Sequence, residues 1–319
     1  MINPLPRSRH AASKRRFLLL LLSWIFVALA SAACGARSQV ASEPKLPSPE
    51  VQSASATPGV TSTLAHTATS TATFVPTSTA TYIPPRGTPT PLTIGTSVAG
   101  RPLQVFPFGE GPAKRMIVAG MHGGYEWNTI ALADDVIQVL TARPELIPPG
   151  ITLYILRSLN PDGEARSTSY KGRVNENLVD LNRNFPSHWQ REWPLDGCWT
   201  YTFVTGGSDP ASEPETEALM DFLLTYQIEG LINYHSAALG IFPGGQPPDE
   251  ASISLAEAVA AVSDYPYPPV ETGCVYTGQL IDWASDQGIA AIDIELTNHQ
   301  DTDLWMNLRV LEAFLSWSP

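Results

Sequence analysis

From about residue 92 onward, short apolar runs alternate with longer stretches of helical spacing, and the apolar runs end on polar residues. "RMIVAGM" (115–121) is followed at once by His122, and "ITLYILRSL" (151–159) by Asn160. "LINYHS" (231–236) carries His235 near its end, and "AAIDIEL" (290–296) carries Glu295. Runs this short and this apolar suit buried strands. "PLQVFPF" (102–108) alternates as an edge strand does. Between the runs, "EWNTIALADDVIQVLTA" has helical apolar spacing and stops before Pro144. "ASEPETEALMDFLLTY" opens with Ser212, Pro214 and an acidic first turn, the signature of a helix start. "DEASISLAEAVAAVS", "GQLIDWASDQG" and "DLWMNLRVLEAFLSW" read as further helices. Strands that alternate with helices predict an α/β fold, a mixed, largely parallel twisted sheet with helices on both faces. Ligands of such sheets bind beyond the carboxyl ends of the strands. His122, Asn160, His235 and Glu295 all fall there.

The first 91 residues have a different character. "RSRHAASKRR" is a basic segment, "FLLLLLSWIFVALA" an apolar one of 14 residues, and "ASAAC" supplies small residues for cleavage. That is the order of an export signal, and the apolar run is short of the roughly 20 residues a permanent membrane span needs. Residues 1–34 are therefore expected to be a signal peptide. Cys34 follows small residues as in a bacterial lipoprotein signal, although Ser31 stands where an aliphatic residue is usual. The alternative is plain cleavage after Ala32 or Ala33. Either route makes the mature protein extracytoplasmic, secreted or lipid-anchored at the outer face of the cytoplasmic membrane. A lipid on Cys34 would be its one membrane contact.

Residues 51–85 contain no Lys, Arg, Asp or Glu and are dominated by Thr, Ser, Ala and Pro. Such a segment cannot bury enough apolar surface to offset chain entropy. Residues 35–91 are read as a disordered Ser/Thr/Pro-rich linker and 92–319 as the folded domain, expected to be a monomer. Residues 91–319 carry 11 Lys/Arg against 29 Asp/Glu. That balance repels phosphate backbones and excludes nucleic acid as a partner. Cys198 and Cys274 are left as either a disulfide or two buried thiols, since pairing depends on a separation in space.

Four histidines lie in the domain: His122, His188, His235 and His299. His122 and His235 both close strands, and Glu126 follows His122 by four positions. His, Glu and His form the usual protein complement of a catalytic zinc, which keeps a further position open. "GRVNENLVDLNRNF" then brings Arg173, Asp180, Asn182 and Arg183 into one stretch. Two arginines beside a metal set suggest anion handling, since the guanidinium fork suits a carboxylate or an oxyanion. Surface pairing with Glu164 or Glu176 is the plainer alternative.

The chain resembles the zinc carboxypeptidase (funnelin) family from about residue 92 to the end. The similarity runs through "GMHGGYEWNT", "NPDG", "GRVNENLVDLNRNF", "SEPETEAL", "NYHS", "VYTGQLIDWASDQGI", "DIEL" and "NLRVLEAFL", in family order. The resemblance implies one Zn2+ per chain held by His122, Glu126 and His235. It implies Glu295 as the general base, Arg173 as the group that polarises the scissile carbonyl, and Asp180 as the carboxylate orienting His122. It implies that Asn182 and Arg183 grip a substrate carboxylate, that Tyr276 caps the substrate, and that Ile281 lies at the base of an apolar side-chain pocket. In two places the chain departs from the family. Three residues, not two, separate His122 from Glu126, and Tyr276 lies two residues closer to "IDW" than in animal digestive enzymes.

The implied reaction is hydrolysis of the C-terminal amide bond of a peptide. A first alternative is a cell-wall peptide amidase acting on a muropeptide between γ-D-glutamate and diaminopimelate. An aspartoacylase-like N-acyl hydrolase and a catalytically inactive binding module are the others.

Overall fold

A computed structural model describes residues 82–319. The signal segment, Cys34 and most of the linker lie outside the described residues. Seven strands form one sheet in the order β1-β2-β4-β3-β5-β7-β6. They are β1 Leu92–Thr96, β2 Pro102–Phe108, β3 Ala113–Val118, β4 Ile151–Leu156, β5 Gly230–Ser236, β6 Ile241–Pro243 and β7 Ala290–Leu296. The inner four, β4-β3-β5-β7, pair in parallel, and β1, β2 and β6 join antiparallel at the two sides. This is the mixed, largely parallel sheet expected.

Six helices cover it: α1 Trp127–Ala142, α2 Pro161–Arg166, α3 Pro214–Thr225, α4 Glu250–Ala260, α5 Leu280–Asp286 and α6 Leu304–Ser316. Strand alternation sends Ile117 and Ala119 into a core with α1, α4 and α6. Met116 and Val118 go to the opposite face, into a core with α3 and α5. Both faces are buried because side chains alternate along each strand.

One expectation is corrected. The run 102–108 is not an edge strand: β1 pairs along its outer side and β4 along its inner side. Phe106 feeds one core and Val105 the other, so β2 is buried on both faces. Residues 82–91, assigned to the linker by composition, hold no regular element, yet Tyr82 lies edge-on to Phe106 at 6.1 Å. The Arg157 guanidinium stacks 4.3 Å above the Tyr82 ring. Among the described residues no helix is long and apolar enough to cross a membrane.

The carboxyl ends of β3, β5 and β7 lie side by side, and β5 pairs with β7 so that His235 faces Glu295. That row of strand ends positions the site.

Candidate active site and metal centre

After β3 the chain turns through Gly120 and enters a single 3-10 turn, Gly123–Glu126, ahead of α1. Gly123 has φ +47, and a Cβ there would come within 2.6 Å of the Gly172 carbonyl oxygen. Gly124 would meet the Ser167 carbonyl at 2.2 Å. The glycines thus let this turn lie flat against the chain that carries Arg173. The extra residue between His122 and Glu126 is absorbed by the turn. His122 Nδ1 lies 2.7 Å from Glu126 Oε1.

His235, near the end of β5, completes the group. Its Nδ1 is 3.2 Å from His122 Nδ1 and 3.1 Å from Glu126 Oε2. The three side chains are buried, and their ligand atoms all lie within 4.8 Å of one another. Zinc bound tetrahedrally at about 2.0–2.1 Å would hold two nitrogens about 3.3 Å apart, so the donor set fits that ion. Two imidazoles and a carboxylate are also the donor types that zinc takes.

The surroundings fix these donors. His122 Nε2 donates to Asp180 Oδ1 at 3.2 Å, and Asp180 Oδ2 accepts from Arg173 Nε at 2.9 Å. This orients the ring so that Nδ1 points at the metal position. Burial pushes the Asp180 carboxyl up, but Arg173 and His122 outweigh it and hold it well below the usual range. Glu126 is also lowered against its burial, by His122 and His235. Both carboxylates are anions in the pocket.

Glu295 behaves in the opposite way. Burial, then the Glu126 and Asp293 charges, push its carboxyl up to about 8. Its Oε2 is buried without any hydrogen-bond partner. An unpartnered carboxylate with a raised pKa beside a metal position suits proton transfer near neutral pH.

Arg173 and Arg183 have different neighbours. Arg173 pairs with Asp180 at 2.9 Å, approaches Glu126 at 3.5 Å, and stacks 4.7 Å over Trp199. Arg183 donates to the Asn182 carbonyl at 2.7 Å and stacks over Trp193 and Tyr276. Its Nε is buried without a partner, and among the described residues no carboxylate is in ion-pair contact with it. Asn182 is held by the Leu280 backbone N–H on its Oδ1 at 3.0 Å.

These groups line one cavity of about 210 Å³. Glu295, Arg173, Asn182, Arg183 and Tyr276 surround it, together with His122, Glu126 and His235. Asp180 stands behind His122. Ile281 is buried in the α3/α5 core with Leu280 and Trp283 and is not among the residues on the wall of this cavity. The helix α5 turns it toward the sheet.

Sequence reading missed Asp293, Phe242 and Trp199, all on the cavity wall. Asp293 had a signal. It lies two residues before Glu295 in a strand and so must share its face. Cys198 and Cys274 form a disulfide, with Cα atoms 4.6 Å apart. The bond ties the loop bearing Trp199 to the loop bearing Tyr276.

Comparison with known proteins agrees with this geometry. The chain is 27% identical to murein peptide amidase A of Escherichia coli K12 over 208 residues, 63% of this chain and 78% of that protein. It is 32% identical to mouse carboxypeptidase M over 165 residues, 46% of this chain and 33% of that protein. The fold superposes on bovine thrombin-activatable fibrinolysis inhibitor with a TM-score of 0.58 at 24% identity, covering 72% of this chain and 87% of the other. The profile of the zinc carboxypeptidases, peptidase family M14, matches residues 88–314. The chain is a member of the zinc carboxypeptidase family, and an enzyme of the metallopeptidase type.

Proposed function

We propose that this protein is an extracytoplasmic zinc metallocarboxypeptidase. It hydrolyses the amide bond that precedes a residue bearing a free carboxylate, with the C-terminal residue of a peptide as the general case. The observation that carries this reading is Arg183. It is a buried cation with an unpartnered Nε, on the wall of the same cavity as the His/Glu/His group. A buried charge without a partner is costly unless a ligand supplies one, and a carboxylate matches the guanidinium fork.

One zinc per chain would be held by His122, Glu126 and His235. When bound, it supplies a Lewis acid at the scissile carbonyl and makes water a usable nucleophile near neutral pH. Glu295 takes a proton from that water and returns it to the leaving amine. Arg173, braced by Asp180, directs its donors at the carbonyl oxygen as negative charge develops there. Asn182 and Arg183 hold the leaving residue's carboxylate, and Tyr276 closes over it. The disulfide supports an oxidising compartment, as does the basic and apolar N-terminal segment.

A second reading has its own support: the similarity to murein peptide amidase A spans more of this chain than that to carboxypeptidase M. A muropeptide also offers free carboxylates beside its amide bonds. The test is a panel of peptides with free and amidated C-termini, together with a muropeptide. Cleavage of free-acid substrates, with most of kcat/KM lost on amidation, is expected. Equal cleavage of the two forms would overturn carboxylate anchoring.

A further inference from the structure

Both guanidiniums on the cavity wall lie against the face of an indole. Arg173 is 4.7 Å from the centre of the Trp199 ring, and Arg183 is 5.2 Å from that of Trp193. The two tryptophans come from one loop, 186–204, which holds no helix or strand. Trp193 forms a small third core with Val174 and Val204, and Cys198 and Trp199 pack against it. This core is separate from the two that cover the sheet. Val174 follows Arg173 directly, so the core fastens the loop to the chain that carries Arg173. Tyr125, in the turn with the extra residue between His122 and Glu126, meets the Trp199 ring edge to face at 5.9 Å.

We propose that Trp199 and Trp193 are positioning residues, each fixing one arginine for a different task. Trp199 holds Arg173 toward the carbonyl oxygen, and Trp193 holds Arg183 toward the substrate carboxylate. This rests on the roles given to the two arginines under the proposed function. Trp193 is not among the residues of the cavity wall, so it acts through Arg183. Trp199 lines the wall beside the arginine it covers.

Contacts along the guanidinium edges do not complete the job. Asp180 Oδ2 accepts from both Nε and Nη2 of Arg173, each at 2.9 Å, which fixes that group along one edge. The indole face then sets its tilt. Arg183 has less: the Asn182 carbonyl accepts from its Nη1, and its Nε is buried without a partner. Ring faces, those of Trp193 and of Tyr276 at 5.5 Å, are its main supports. An aromatic face attracts a cation, Trp most strongly, and more so where water is excluded. The indole nitrogens point to the same use. Nε1 of Trp193 and Nε1 of Trp199 are both buried without a hydrogen-bond partner. An unpaired buried N–H is destabilising, and phenylalanine would not carry that cost. What tryptophan supplies in return is the stronger face for a guanidinium. The Cys198–Cys274 bond, next to Trp199, holds the loop in register with the chain bearing Tyr276.

The experiment is a pair of double-mutant cycles on zinc-loaded protein, with zinc content and a thermal melt taken for every variant. Trp199→Leu is expected to lower kcat on a free-acid peptide about 5–30-fold with little change in KM. Trp193→Leu should raise KM by a similar factor with little change in kcat. Each loss should vanish when the matching arginine is already alanine, Trp199→Leu in Arg173→Ala and Trp193→Leu in Arg183→Ala. Phenylalanine at either position keeps a weaker face and should show the same pattern at a smaller size. It carries the test if a leucine variant does not fold. Losses that persist in full without the arginine would overturn the proposal, since the loop would then act only as structure. So would one common change in kcat and KM from either tryptophan, or no change from either. Binding of an N-acyl amino acid and of its amide separates this from the hydrolase reading. Suppose the unaltered protein cleaves no free-acid peptide, yet Trp193→Leu weakens binding of the acid and not of the amide. That result would uphold the positioning of Arg183 and refute the hydrolase.

Discussion

His122 Nδ1 and His235 Nδ1 lie 3.2 Å apart, though 113 positions separate the two residues in sequence. His122 lies four residues beyond the end of β3, and His235 is the penultimate residue of β5, the adjacent parallel strand. Both ring nitrogens also face the Glu126 carboxylate, at 2.7 and 3.1 Å, so three donors of the types zinc takes converge on one point. A shared cation between them, with Glu126 as a third donor, accounts for the arrangement.

Removal of one donor should therefore release the metal. His235→Ala is expected to lower zinc affinity by more than the 10–100-fold typical of losing an outer-shell partner. Metal analysis after dialysis checks this. Zinc content equal to that of the unaltered protein would show that the ion binds elsewhere.

Arg183→Ala should act on one kind of substrate. Its effect on a free-acid peptide is expected to be about 10–100-fold in kcat/KM, the range of a charged hydrogen bond. An amidated peptide never used the contact and should change little. Parallel losses on both peptides would mean that Arg183 supports the fold of the loop and not the substrate.

The raised pKa of Glu295 has a stability consequence in the metal-free protein. Burial raises the carboxyl to about 8 when folded, against about 4.3 when unfolded. Its contribution is full below the unfolded value and is lost as pH rises through the folded one. Glu295→Gln should then stabilise the metal-free protein at pH 7.5 by at least ~1 kcal/mol, or about 2–4 °C in Tm, and give no gain at pH 4. Thermal melts of both proteins with chelator present, at the two pH values, check the sign.

Loss of the Cys198–Cys274 bond should be felt mainly in substrate binding. The two loops it joins carry Trp199 and Tyr276, on the cavity wall. Replacing both cysteines by serine is expected to lower stability by about 2–4 kcal/mol and to raise KM more than it lowers kcat. Steady-state kinetics beside thermal melts separate the two effects.

Much of this was legible in the sequence, and the exceptions have physical causes. Buried parallel strands such as β3 and β5 write themselves as continuous apolar runs, so their ends marked His122 and His235. "LTIGT", the strand β1, has no such run; Gly95 is there because a Cβ would come within 2.6 Å of Ala218 Cβ in α3. The three residues of β6 are too few to show a period. Asp293 was readable from its alternation with Glu295, but an acid inside an apolar strand looks like an interruption until its partner Asn233 is seen across the sheet. Ile281, placed by resemblance at the base of the pocket, is buried in the α3/α5 core, and only the orientation of α5 shows it there. Pairing of Cys198 with Cys274 depends on a loop-to-loop distance that no local pattern encodes.

The central claim is that Glu295 moves the proton at a zinc site built by His122, Glu126 and His235. Its most direct measurement is zinc content and kcat, taken together, on the Glu295→Gln protein with a free-acid peptide. The account predicts about one zinc per chain and a fall in kcat of roughly 10²–10⁴, the range for loss of a general base. Full zinc with near-normal kcat would contradict it, since some other group would then carry the proton.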